Sequence, residues 1–128
     1  MARVVAHVPD LLFGSKVQGM LAAAGHDVTV VGSADGARAA ADGIDLLVVD
    51  LFFDADAGIA LVAGMRAEGT LGDARVLATF AHTAPEVRAA ALAAGFDLVV
   101  PRSRMARDGA ALVARLLEEP QSRPSGGT

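Results

Sequence analysis

The sequence predicts a doubly wound α/β sandwich: one domain built on five parallel strands. Two observations carry that prediction. The stretch Ile44 to Leu51 (IDLLVVDL) holds four consecutive apolar residues, Leu46 to Val49, which cannot alternate between core and solvent. It therefore reads as a strand buried on both faces at the centre of a parallel sheet. Strand-like runs then alternate with helix-like runs five times along the chain. Such alternation is the mark of a sheet covered by helices on both sides.

Taken in order, Arg3 to Val8 (RVVAHV) is the first strand, stopped by Pro9, which has no N–H to offer a ladder. Asp10 stands where a helix N-cap belongs. Phe13, Val17, Met20, Leu21 and Ala24 follow at helical spacing, and Gly25 closes the helix. Asp27 to Val31 is a second strand. After Gly32 and Ser33, Asp35 is placed to cap a small Ala-rich helix that ends at Asp42-Gly43. The central strand ends in Asp50. Phe52 to Ala57 reads as a loop, with one of Phe52 and Phe53 expected in the core by alternation and the other partly exposed as a contact residue. Ile59, Val62 and Met65 mark one face of a third helix running to Gly69. Arg75 to Phe80 is the fourth strand. Thr83 and Glu86 have capping-box spacing at the start of a fourth helix through Val87, Ala91 and Ala94 to Gly95. Leu98 to Val100, ended by Pro101, is the fifth strand. Arg107 to Glu119 is a last amphipathic helix carrying Leu112, Val113, Leu116 and Leu117.

For five strands the flavodoxin-like order 2-1-3-4-5 is the natural doubly wound arrangement. It brings the carboxyl ends of strands one, three and four side by side. Val8 to Asp10, Asp50, and Phe80 to His82 then share one rim, and ligands of open α/β sheets collect at that edge.

The 128 residues suffice for one core and not for two. We read residues 1–119 as the folded domain and 120–128 (PQSRPSGGT) as a disordered tail. A hydrophobic content of 53% with 20% charged residues marks a folded chain, and a net charge of −4 spread along it argues against nucleic-acid binding. The absence of Cys removes thiol chemistry and Cys-based metal sites. No run is long enough for a signal peptide or a membrane span, so a cytoplasmic location is expected. No Gly-x-Gly-x-x-Gly or Walker pattern follows the first strand, and Ser15 and Ser103 lack a nucleophile-elbow setting.

The chain resembles a response-regulator receiver domain over essentially its whole folded length. The receiver pattern threads from Arg3 to Gly25 without a gap, through Asp45 to Leu51, then Ala57-Gly58 and Ala94-Gly95. The resemblance implies that Asp50 stands at the phosphoacceptor position. It also implies four departures. The acidic pair that holds Mg²⁺ falls on Val8-Pro9, the Ser/Thr switch on Phe80, the strand-five aromatic on Val99, and the lysine on Arg102. The only lysine, Lys16, belongs to the first helix. A one-residue slip would put Thr79 at the switch position, but slipping a strand by one turns its side chains to the opposite face. The chain further resembles small stand-alone receiver-like proteins with Val-Pro-Asp-Leu and Val-Pro-Arg-Ser segments, here Val8 to Leu11 and Val100 to Ser103.

The expected reading is thus a non-enzymatic pseudo-receiver that signals by protein–protein contact, with no cofactor and no catalytic residue. Asp50 is its inactive phosphoacceptor equivalent, with Asp10, Phe80 and Arg102 on the pocket rim. Arg102 is placed to hold Asp50 by a bidentate pair. With no metal or lysine depending on Asp50, Asp50→Asn is expected to cost far less than truncating Leu47. Two alternatives stand beside this. One is an atypical response regulator phosphorylated at Asp50 with Mg²⁺ on Asp10 and Asp50. The other is a small-molecule or metal binder at the same edge using His7, His82 and the aspartates, with Asp54 and Asp56 as further candidate ligands. The resemblance also implies a contact face on helix four, strand five and helix five. There the alanines around Leu92 and the apolar residues of helix five suit a homodimer, with Arg104 and Arg107 at its rim.

Overall fold

A computed structural model describes residues 1–81 and 84–119. His82, Thr83 and the segment 120–128 lie outside the described residues, and with them the Thr83–Glu86 capping box and the predicted tail. The expected alternation is observed: β1 (Arg3–His7), α1 (Leu11–Ala23), β2 (Asp27–Val31), α2 (Ala34–Ala40), β3 (Leu46–Asp50), α3 (Ala55–Glu68), β4 (Arg75–Phe80), α4 (Pro85–Ala93), β5 (Leu98–Pro101) and α5 (Arg102–Glu118). All neighbouring strands are parallel and the sheet order is β2-β1-β3-β4-β5, as the sequence predicts. No described helix is long and apolar enough to cross a membrane.

The helices divide the core in two. Phe13, Val17 and Leu21 of α1 pack with Met105, Leu112, Val113 and Leu116 of α5 against Val4, Leu46, Val48 and Leu77 of the sheet. On the opposite face, Ala37, Leu61, Val62, Met65 and Ala91 of α2, α3 and α4 cover Val5, Leu47, Val49, Val76 and Ala78. Alternation within each strand assigns successive residues to the two cores, which is why β3 is buried throughout. Gly58 lets α3 approach the end of β3 closely. A Cβ there would lie 2.5 Å from Leu51 Cδ2 and 3.2 Å from Val49 Cγ1, so the buried Leu51 side chain would have to shift.

Element ends differ from the sequence reading at several points. Ser33, not Asp35, caps α2, its Oγ accepting from the Gly36 N–H at 3.0 Å. Asp54 caps α3 by accepting from the Ala57 N–H, so the helix begins inside the predicted loop, at Ala55. At α4 the cap position is Ala84 with Pro85 as the first helical residue, which places Glu86 one position earlier than a capping box requires. The largest shift is at α5. Proline's φ and missing N–H suit the position before a helix, and Pro101 is both the last residue of β5 and the N-cap of α5. The helix therefore starts at Arg102, five residues before the Arg107 expected from apolar spacing.

That longer α5 also changes the expected contact face. Leu112, Val113 and Leu116 are spent in the α1 core and Leu117 is partly buried against it, leaving Leu92 as the exposed large apolar residue among α4, β5 and α5.

Leu47 is fully buried under α2 and α3. Leu47→Ala is expected to lower unfolding free energy by about 2–5 kcal/mol, read as a reduced midpoint with an unchanged slope in urea denaturation.

Candidate functional site

The carboxyl edge of the sheet gathers a set of closely paired polar groups. Asp50 ends β3, and the side chain of its carboxylate is only 1% exposed. Burying a carboxylate is costly unless it is paired and hydrogen-bonded, and this one is both. Arg102, the first residue of α5, meets it with two donors: Nε to Oδ1 at 3.0 Å, and Nη2 to Oδ2. Thr79 Oγ1 donates to Oδ1 at 2.7 Å.

The same guanidinium reaches a second carboxylate. Its Nη1 donates to Asp10 Oδ2 at 3.1 Å, while the other oxygen of Asp10 caps α1, accepting from the Leu12 and Phe13 N–H groups at 3.0 and 3.2 Å. One arginine thus bridges the end of β3 to the start of α1. The amide of Phe13, and then Arg102, hold the Asp10 carboxyl below its ordinary range. Pairing with Asp50, ahead of the opposing effect of burial, raises the already high pKa of Arg102.

Aromatic rings enclose what the carboxylates leave open. The Arg102 guanidinium carbon lies 4.4 Å from the centroid of Phe13, 4.3 Å from Phe52 and 5.6 Å from Phe53, within cation–π range. Phe52 and Phe53 meet edge to face at 4.9 Å. Neither of these two enters the core. β3 ends at Asp50, so strand alternation no longer applies, and Leu51 takes the core position. Both rings are instead left at the surface, 47% and 70% exposed, with Leu11 and Leu12 at 83% and 86% on the first turn of α1.

The switch residue is a further correction. Phe80 is not on the rim: it is buried with Leu51, Leu61, Ala91 and Val99 under α3 and α4. Thr79 is the register partner of Asp50 across the β3–β4 ladder, so its side chain shares the carboxylate's face. The one-residue rule that seemed to exclude Thr79 in fact selects it. Phe13 and Thr79 are the two site residues the sequence reading missed. The signal for Thr79 was the lone hydroxyl in a strand that is apolar from Val76 onward; for Phe13, read as a core residue, there was none.

No family model matches the chain, and no curated protein matches it. Solved structures do. The chain is similar to the receiver domain of the Francisella response regulator 1452, at 18% identity over 92% of this chain and 98% of that one, with a TM-score of 0.79. It is similar to the Vibrio cholerae chemotaxis protein CheY4 at 20% identity over 91% and 98%, TM-score 0.80. It is similar to NtrX from Brucella abortus at 21% identity and TM-score 0.81, covering 91% of this chain and 27% of NtrX. The fold is that of a response-regulator receiver.

A receiver fold that transfers phosphate needs carboxylates to hold a divalent cation, and these residues do not fit one. Val8 and Pro9 offer no side-chain oxygen, and Val8 is buried. The remaining pair, Asp10 and Asp50, is bridged by the Arg102 guanidinium in the role a cation would take. Among the described residues no three His, Asp or Glu side chains converge as metal ligands. Asp54 and Asp56 lie at the cap and first turn of α3. Arg104 and Arg107 are exposed on α5, Arg107 pairing with Asp108 at 3.1 Å.

His7 ends β1 on the other face of the sheet, following Val5. Burial lowers its pKa below 6.5, with its own backbone carbonyl and Asp50 opposing more weakly. As pH falls, the unfolded chain therefore takes up the His7 proton first, and stability declines until the folded state also protonates. Replacing His7 by Phe is expected to flatten the fall in melting temperature between about pH 7 and 5, measured at constant ionic strength.

The Asp50 geometry revises the expectation for Asp50→Asn. Removing one partner of a buried ion pair costs about 3–5 kcal/mol. Here Arg102 is 21% exposed and keeps Asp10, which moderates the loss. We expect Asp50→Asn to cost about 1–3 kcal/mol in urea denaturation, overlapping the range for Leu47→Ala.

Proposed function

We propose that this receiver-fold domain signals by binding a protein partner at the carboxyl edge of its sheet, without enzymatic activity and without phosphorylation at Asp50. The Arg102 bridge carries the reading. Phosphoryl transfer to a carboxylate needs a free oxygen in line with the donor and a cation to neutralise developing charge. Both Asp50 oxygens are engaged, and the guanidinium already balances the two carboxylates. In place of a charged pocket the domain presents Phe52 and Phe53 on the Arg102 ion pair, with Leu11 and Leu12 exposed on the first turn of α1, next to Asp10. A monomeric domain rarely leaves such residues together unless they meet something. Aromatic side chains backed by an arginine are also typical of the contacts that dominate binding energy. A homodimer through α4, β5 and α5 has less to rest on, since Leu92 supplies the exposed apolar surface there.

Incubation with acetyl phosphate and Mg²⁺, followed by intact mass measurement, tests the chemical half. No added phosphoryl group is expected. A stoichiometric gain that disappears in Asp50→Asn would overturn the proposal and restore the atypical response regulator.

A further inference from the structure

The carboxyl edge carries charges of both signs, and they are kept apart. Arg102 stands between them, already balanced by Asp50 and Asp10. On its α1 side a groove runs between the starts of α1 and α5, and Leu12, Phe13, Lys16 and Arg102 share its wall. Lys16 is the only lysine of the chain; it is exposed and makes no ion pair among the described residues. On the other side stands Phe53, 5.6 Å from the Arg102 guanidinium carbon and followed directly by Asp54. Asp54 is exposed as well. Its Oδ1 accepts from the Ala57 N–H, and no cation pairs with it among the described residues. Across the edge the order is therefore Lys16 and Leu12, then Arg102 with Phe52 and Phe53, then Asp54.

That order bears on the partner. The charges of the edge nearly cancel, so neither a strongly acidic nor a strongly basic protein is favoured there. A two-fold rotation about an axis through the aromatic pair exchanges the two ends of the strip. It turns Lys16 of each copy towards Asp54 of the other and brings the exposed rings of Phe52 and Phe53 against their symmetry mates. Such a patch is complementary to itself, which an isologous dimer requires. The rings supply apolar burial at the centre, and the charges at the ends fix the orientation.

We infer that the protein partner at this edge is a second copy of the same chain, joined about a two-fold axis through Phe52 and Phe53, with Lys16 of each copy paired to Asp54 of the other. The inference rests on the contact role proposed for the edge and names its partner.

Sedimentation velocity on the full chain tests it, over about 5 to 500 μM because a patch of this size gives a weak interface. A reversible monomer–dimer equilibrium is expected, and Phe53→Glu, at an exposed position, should leave only monomer. Lys16→Glu and Asp54→Lys should each raise the dimer Kd roughly tenfold or more, since each sets two pairs of like charges across the axis. Mixing these two variants makes both pairs opposite in sign again, so the mixture should dimerise where neither variant alone does. Asp54→Lys also removes the α3 cap. Asp54→Asn keeps a capping oxygen, and added to Lys16→Glu it should recover part of the lost affinity. A single monomeric species at every concentration, a dimer indifferent to Phe53→Glu, or a mixture no tighter than its components would each overturn the inference. A monomer would leave the edge free for a different protein, and phosphoryl labelling at Asp50 would overturn the proposed function whatever the oligomeric state, so the two can fail separately.

Discussion

The carboxyl edge of this domain depends on a single guanidinium. Arg102 pairs with Asp50 through two donors and uses a third for Asp10, so three chain segments, the end of β3 and the starts of α1 and α5, meet at one group. Arginine suits this place for reasons lysine does not share. Its planar fork can satisfy two carboxylates at once, it keeps its charge when half-buried, and its faces stack on aromatic rings. Phe13 below and Phe52 beside it use those faces.

The consequences run outward from that contact. Asp50 can remain charged and almost fully buried because its hydrogen-bonding capacity is met by Arg102 and Thr79. Asp10 can cap α1 and still face the site, because its second oxygen has a partner. Phe52 and Phe53, excluded from the core by the end of β3, gain an ordered place on the surface. In a phosphorylated receiver fold the same edge must open to a donor and a cation. Here it is closed by a residue of the chain itself, and what faces solvent is apolar. An exposed aromatic pair beside a closed ion pair is the physical outcome of that exchange.

Burial at this edge is also graded across the sheet. On the α1 and α5 face the polar groups are paired and shielded. On the α2 and α3 face His7 retains a buried nitrogen with no hydrogen-bond partner among the described residues. The two faces differ because strand alternation sends Asp50 and Thr79 one way and His7 the other.

How much of this was legible in the sequence follows from the range of the forces involved. Apolar runs and their spacing fixed the alternation of elements, and the doubly wound order followed from general rules of chain connection. The Asp50–Arg102 pair was also legible, since the resemblance put both residues at one edge and the chemistry of a carboxylate and a guanidinium did the rest. Other features were not. Thr79 could be separated from Phe80 only by the register of β3 against β4, which long-range pairing decides and no local pattern encodes. The start of α5 at Arg102 was hidden because its first turn carries charge rather than an apolar stripe, and it is Pro101 and the contact with Asp50 that fix it. The aromatic enclosure of Arg102 joins segments far apart in the chain. Sequence alone determined the central buried strand, most of the core-facing apolar positions and the order in which the layers form, though not the burial of Phe80 or the exposure of Phe52 and Phe53. Only packing decided which polar groups found partners, because a hydrogen bond depends on distances of a few tenths of an ångström that hydrophobic patterning does not specify.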